Sequence, residues 1–297
     1  MRNTSAPVVV GVDGSACSLE AVRLAAREAT VRRRPLRVVH AFIWPMMRTP
    51  LGPSSAGPPE GGLRNQAERV VAEAVEEARK VAGDIEVTGA VVDGAPTPVM
   101  LQEAHEAGLI VLGNRGLGGF AGLLLGSTSA QVAAHATCPV LVVRGELRTE
   151  GPIVVGVDGS ELSNLAIGFA MAEADHRDAE VIAVHAWLNP TPVGPGDMLP
   201  LVYDVDALRA EEERVLAEAM AGWRERYPDV RVTQQLARAA APRALVEASK
   251  QAQLLVVGAR GRGGLTGMLL GSVSNTVLHK AHCPVAILRH HQSEQPQ

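Results

Sequence analysis

Glycines set at fixed distances among short polar residues are the pattern in this chain best suited to chemistry. Gly113-Asn114-Arg115-Gly116 is followed, after nine residues, by Gly126-Ser127-Thr128. Gly258-Ala259-Arg260-Gly261 is followed at the same distance by Gly271-Ser272-Val273-Ser274. Each loop carries two further glycines, Gly118 and Gly119 in the first and Gly263 and Gly264 in the second. Glycine lets backbone amides approach a ligand and adopts turns closed to other residues. A helix opening at Ser127 or Ser272 would offer free N–H groups, the positive end of its dipole and hydroxyl donors. The chemistry this suits is the cradling of a phosphate chain between two clusters of amides.

An acid accompanies each loop. Asp13 lies in Val9-Val10-Gly11-Val12-Asp13-Gly14-Ser15, which returns at Val154 to Ser160 with Gly156 and Asp158 in the same places. If the first and fourth strands are neighbours in a doubly wound sheet, their carboxyl ends flank the crevice where strand order reverses, and Asp13 and Gly113 face one pocket. The carboxylate could accept from a base amino group or from ribose hydroxyls; the alternative is an Asp-Gly turn. His40-Ala41 and His185-Ala186 also repeat, and a histidine alone at a strand end reads as a hydrogen-bonded structural residue. No G-x-x-x-x-G-K-[ST] occurs. Gly116 to Ala121 approximates a dinucleotide fingerprint, but it follows the fourth strand and its twin ends in Thr266, which argues against NAD. No residue is assigned as catalytic or as a metal ligand.

The elements that must position these residues are themselves repeated. The whole pattern recurs at a constant offset of 145 residues in a chain of 297, which divides it into domains of residues 1–148 and 149–297. Apolar runs of strand length alternate with segments of helical period, the signature of a parallel sheet with crossover helices. Strands are predicted over 8–12, 36–41, 85–92, 109–113 and 140–144, and over 153–157, 180–186, 230–237, 254–258 and 285–289. Helices are predicted from Ser18 to Arg32 and Ser163 to His176, capped by those serines, then from Leu63 to Ala82 and Asp206 to Arg226. Pro45 to Gly62 and Asn189 to Pro200 are long, Pro/Gly-rich connections.

Composition excludes several function classes. A formal charge of −4 gives no basic field for a polyanion, so no nucleic-acid partner is expected. Arg32-Arg33-Arg34 reads as a solvated helix end. Three cysteines cannot frame disulfides, and Cys138 and Cys283 sit at equivalent places before a Pro-Val strand entry, as reduced, buried residues would. No apolar run approaches the ~18 residues needed to span a bilayer. With a polar amino terminus that lacks the features of a leader, no membrane association and a cytoplasmic location are expected.

At these residues the chain resembles the universal stress protein family, in its ATP-binding branch, whose loop is G-x2-G-x9-G-[ST]. Both halves match it, and the similarity extends through Gly-Val-Asp-Gly-Ser, the Val-His-Ala strand end and the Cys-Pro-Val entry to the fifth strand. The segment Ala221 to Pro228 is similar to the second domain of the tandem actinobacterial type. The resemblance implies an α/β fold of two tandem Rossmann-like domains, each a five-stranded parallel sheet of order 3-2-1-4-5 with helices on both faces. It implies ATP as ligand, with Mg2+ able to arrive on it. Adenine would lie near Asp13 and Ala41, and phosphates on Gly113, Gly116, Gly126, Ser127 and Thr128. Asp158, Ala186, Gly258, Gly261, Gly271, Ser272 and Ser274 are the second set. Family members pair through the fifth strand, so a homodimer is expected, with a protein partner that the sequence does not identify. Gly94 has Ala239 as its counterpart, a difference in the wall of the second site. The function implied is an ATP-dependent stress-response regulator; a slow ATPase or phosphotransferase, or a scaffold binding another adenine nucleotide such as cyclic AMP, are the alternatives.

Overall fold

The computed structural model describes residues 6–43, 59–116, 125–188, 204–263 and 269–290. The chain divides into two compact units, with the boundary between Leu147 and Arg148.

In the first unit the elements run β1 (Val8–Gly11), α1 (Ala16–Arg32), β2 (Leu36–Phe42), α2 (Pro59–Ala82), β3 (Val87–Asp93), α3 (Pro96–Glu103), β4 (Leu109–Gly113), α4 (Ser127–His135) and β5 (Val140–Val143). The strands are parallel in the order β3-β2-β1-β4-β5. In the second unit they run β6 (Ile153–Val157), α5 (Glu161–Arg177), β7 (Val181–Trp187), α6 (Val205–Met220), α7 (Trp223–Arg226), β8 (Val232–Arg238), α8 (Ala241–Ala248), β9 (Leu254–Gly258), α9 (Ser272–Lys280) and β10 (Val285–Leu288). Here β8-β7-β6-β9-β10 are paired in parallel. Each unit therefore has the order 3-2-1-4-5, and strand order reverses between β1 and β4 and between β6 and β9.

The core follows from which strands are covered twice. Every residue of β4, β5 and β10 is buried, as unbroken Val, Leu and Ile runs require when helices lie on both faces. No residue of β3 or β8 is buried, and Thr88 and Gln234 are exposed. In the first unit α1 and α2 pack together, and α3 packs with α4.

Helix starts differ from expectation in a consistent way. The caps of α1 and α5 are Ser15 and Ser160, which accept from the amides of Ser18 and Ser163 at 3.2 Å. Ser18 and Ser163 lie three residues inside and are buried; Ser18 donates its hydroxyl back to Ser15 O. Two serines at that spacing both suit a cap, and Asp13 and Asp158 decide the matter by turning the chain one step earlier. α2 starts at Pro59, inside the segment read as a connection, because proline is tolerated in the first turn. The long helix expected to Arg226 is broken at Gly222, whose φ of 77° is left-handed. The rest of the two long connections, 44–58 and 189–203, lies outside the described residues.

The arginine run is not simply solvated. Arg32 pairs with the buried Glu28 at 3.2 Å, Arg33 takes the left-handed C-cap position, and Arg34 reaches the Ala6 carbonyl. The same device recurs as Arg177 on the fully buried Glu173 at 2.8 Å. Among the described residues, no helix is long and apolar enough to cross a membrane.

Candidate functional site

Asp13 follows the carboxyl end of β1, and its Oδ1 accepts the amide of Ser15 at 3.0 Å. Asp158 makes the same bond to Ser160 at 2.9 Å. So the Asp-Gly turn is real, and it also aims the other carboxylate oxygen across the crevice. There it meets the loop after the fourth strand: a Cβ on Gly116 would fall onto Asp13 Oδ2, and one on Gly261 onto Asp158 Oδ2. In the second unit Asp158 Oδ2 further accepts the amide of Arg262 at 3.0 Å. These glycines are where the loop touches the acid, so acid and loop form one constellation in each unit.

The far end of the loop is pinned by its own backbone. The amide of Gly126 donates to Asn114 O at 2.7 Å, and that of Gly271 to Ala259 O at 2.8 Å. Ser129 donates its hydroxyl to Gly113 O at 2.7 Å, and Ser274 donates to Ala259 O at 2.8 Å and Gly271 O at 3.0 Å. Ser274, expected to serve a phosphate, is buried with its hydroxyl committed to holding the loop. The exposed hydroxyls are those of Ser127 and Ser272, with Thr128 and Val273 half-buried beside them.

The caps of α4 and α9 are Gly126 and Gly271, and neither has a side-chain cap bond. A serine cap was expected; glycine stands there instead, and a Cβ at Gly126 or Gly271 would meet the loop at ordinary contact distance. A side-chain cap would satisfy one of the first-turn amides. Left uncapped, they point outward with the helix dipole behind them.

Other glycines have tasks different from ligand approach. A Cβ on Gly113 would lie 2.9 Å from Cys17 O, and one on Gly258 would lie 2.9 Å from Leu162 Cβ, so both let a helix pack tightly on the fourth strand. Gly11 is filled in by Leu112 and Met100, and Gly156 by Leu245 and Val257. These four position the site from beneath. Gly263 faces open space. Gly118, Gly119 and Gly264 lie outside the described residues. Arg115 and Arg260 are exposed, and Ala41 and Ala186 are half-buried at the ends of β2 and β7.

The histidines are structural. His40 Nδ1 bonds to Val12 O at 2.8 Å and His185 Nδ1 to Val157 O at 2.7 Å, holding the second strand to the turn that carries each aspartate. His185 Nε2 also meets Glu212 Oε2 at 2.6 Å, a link from α6 that Ala67 cannot make in the first unit. Gly94 has a φ of 141° and donates to Phe42 O at 2.8 Å, whereas Ala239 donates to Ala237 O at 3.0 Å, so the turn after the third strand differs between units. Burial pushes the Cys138 and Cys283 thiols up to about 12, which makes both inert. No three His, Cys, Asp or Glu side chains are grouped as a metal set among the described residues.

The sequence pattern of the universal stress protein family matches residues 5–144 and again 151–289. The chain belongs to the universal stress protein family. It is 42% identical to the universal stress protein Rv2005c of Mycobacterium tuberculosis, over 95% of this chain and 96% of that one. It is 40% identical to the universal stress protein Rv2623 of the same organism, over 97% of each. The crystal structure of a universal stress protein from Archaeoglobus fulgidus superposes with a TM-score of 0.67 at 20% identity, over 95% of this chain and 98% of that one, and shares the fold.

Proposed function

We propose that this universal stress protein binds ATP, one molecule in each unit, and acts as a nucleotide-dependent regulator of the stress response. The observation that carries the reading is the constellation found in both units. An aspartate beyond the first strand is pressed on the second glycine of the loop, facing a helix whose first-turn amides are uncapped. Such a helix end suits phosphate, and the crevice lies at the point of strand reversal where open α/β sheets take ligands. Ser127 and Ser272 add exposed hydroxyls, while Ala41 and Ala186 lie one residue before the end of the strand beside the aspartate, where a base would lie. Magnesium would come with the nucleotide, held by phosphate oxygens. Occupancy would be read by a second copy of the chain or by another protein.

Regulation is favoured over turnover because fast phosphoryl transfer needs a positioned base. The acid nearest the loop holds its turn with one carboxylate oxygen and lies against the loop with the other.

The test begins with denaturing the purified protein and identifying any released nucleotide per chain. ATP approaching two per chain is expected. Titration of a chain carrying Gly116→Val and Gly261→Val follows, in which a Cβ displaces each aspartate. Unchanged ATP affinity in that variant would sink the reading.

A further inference from the structure

The two sites are built on one plan but differ in charge at one point. In the first unit the space above Gly14, the left-handed glycine after Asp13 with φ 85°, is taken by an apolar group, because a Cβ there would lie 3.2 Å from Val70 Cγ2 of α2. In the second unit the equivalent Gly159, with φ 75°, is covered by the guanidinium of Arg262, which occupies the place a Cβ would need. Arg262 belongs to the glycine loop itself, and its amide is held by Asp158 Oδ2 at 3.0 Å. Its guanidinium forms no ion pair among the described residues, and the residue is exposed. The loop of the first unit has Leu117 at the equivalent position in the sequence.

Two neighbouring differences bear on the same contrast. Thr128 in the first unit is Val273 in the second, so the second site gives up a neutral hydroxyl and gains a cation. At the end of the third strand, Asp93 in the first unit is Arg238 in the second, lying over the Trp187 ring at 5.7 Å. Only the second of these exchanges alters charge: the end of the third strand carries Asp93, paired with Arg64, in the first unit and a cation in the second.

We propose that Arg262 makes the second site the one that discriminates by phosphate charge, binding a nucleoside triphosphate in strong preference to a monophosphate, while the first site discriminates weakly. This rests on the nucleotide reading above. A neutral hydroxyl or amide adds about the same to each phosphate it meets. A guanidinium gains with each added charge and can donate two parallel bonds to a phosphate. Arg262 is suited to this because the left-handed turn at Gly159 leaves room for its planar head beside the acid that holds its backbone.

The experiment measures ATP and AMP affinities by calorimetry on the full chain. A Gly116→Val background confines binding to the second site, and a Gly261→Val background confines it to the first. In the Gly116→Val background, Arg262→Leu is expected to weaken ATP about tenfold or more and AMP less than about threefold, the scale of a lost charge-assisted bond. Arg262→Lys should recover part of the ATP loss. The Gly261→Val chain should show the smaller ATP-to-AMP ratio. An unchanged urea midpoint for Arg262→Leu establishes that the loss is not one of folding. An ATP-to-AMP ratio left unchanged by Arg262→Leu, with ATP still bound, overturns the role of Arg262 and leaves the nucleotide reading standing. A wild-type chain that binds no ATP overturns both.

Discussion

At the scale of single residues, the glycines of this chain look alike in sequence but do opposite things. A Cβ at Gly113 would press on the Cys17 backbone at 2.9 Å, and backbone cannot swing aside as a flexible side chain can. Overpacking of this kind costs about 1–3 kcal/mol, so Gly113→Ala should lower the urea midpoint by an amount worth about 2 kcal/mol. Gly263 faces open space, and Gly263→Ala should stay within about 0.5 kcal/mol of the parent. Equal losses from the two would show that Gly113 is not a packing residue. The spacing of the loop glycines was legible in sequence, and so was the pairing of loop with acid. Which atom fills the place of each missing side chain was not, since that depends on Cys17, Met100 and Leu162 arriving from other elements. The burial of Ser274 was not legible for the same reason: it comes from the fold, not from its neighbours in sequence. Arg262 was legible in principle, because the halves differ there, but a search for shared residues passes over a difference.

At the scale of elements, strands were the most legible feature because buried central strands are unbroken apolar runs, and their ends moved by two residues or fewer. Helix starts were less so, because Ser15 and Ser18 compete for the cap and only the turn at Asp13 settles it. The buried acid on the first helix of each unit was also not legible. Glu173 sits in a polar-looking stretch before His176-Arg177, yet its side chain is fully buried against Arg177. Removing one partner of a buried pair leaves the other uncompensated. Glu173→Ala should therefore cost about 3 kcal/mol in urea unfolding, far more than Glu213→Ala in the exposed pair with Arg209 on α6. If the two substitutions cost the same, the buried pair does not anchor α5.

At the scale of the whole molecule, the buried thiols predict how stability responds to alkali. Cys138 and Cys283 are pushed up to about 12 by burial, whereas a thiol in the unfolded chain titrates near ~8.5. Above that lower value the native state holds more protons than the unfolded state, so stability falls as pH rises and levels off only near the native value. The slope is about 1.4 kcal/mol per pH unit for each thiol. A chain with Cys138→Ala and Cys283→Ala should lose stability less steeply between about pH 9 and 11, as read from urea midpoints. Identical slopes would mean that these thiols ionise in the native state without penalty.

Each unit draws the described part of its constellation from its own strands and loop. The first uses the ends of β1, β2 and β4, and the second the ends of β6, β7 and β9. A ligand that binds only the folded state stabilises what it touches, by about 2.7 kcal/mol at a hundred times its Kd. Hydrogen exchange of the ATP-loaded chain should therefore show protection in two separate sets of peptides, around 11–15 with 113–116 and 125–130, and around 156–160 with 258–263 and 269–276. In a Gly261→Val chain the second set should lose its protection while the first keeps it. Loss of protection in both sets from that one substitution would mean that the sites are not self-contained. Repetition would then have produced one shared device instead of two complete ones.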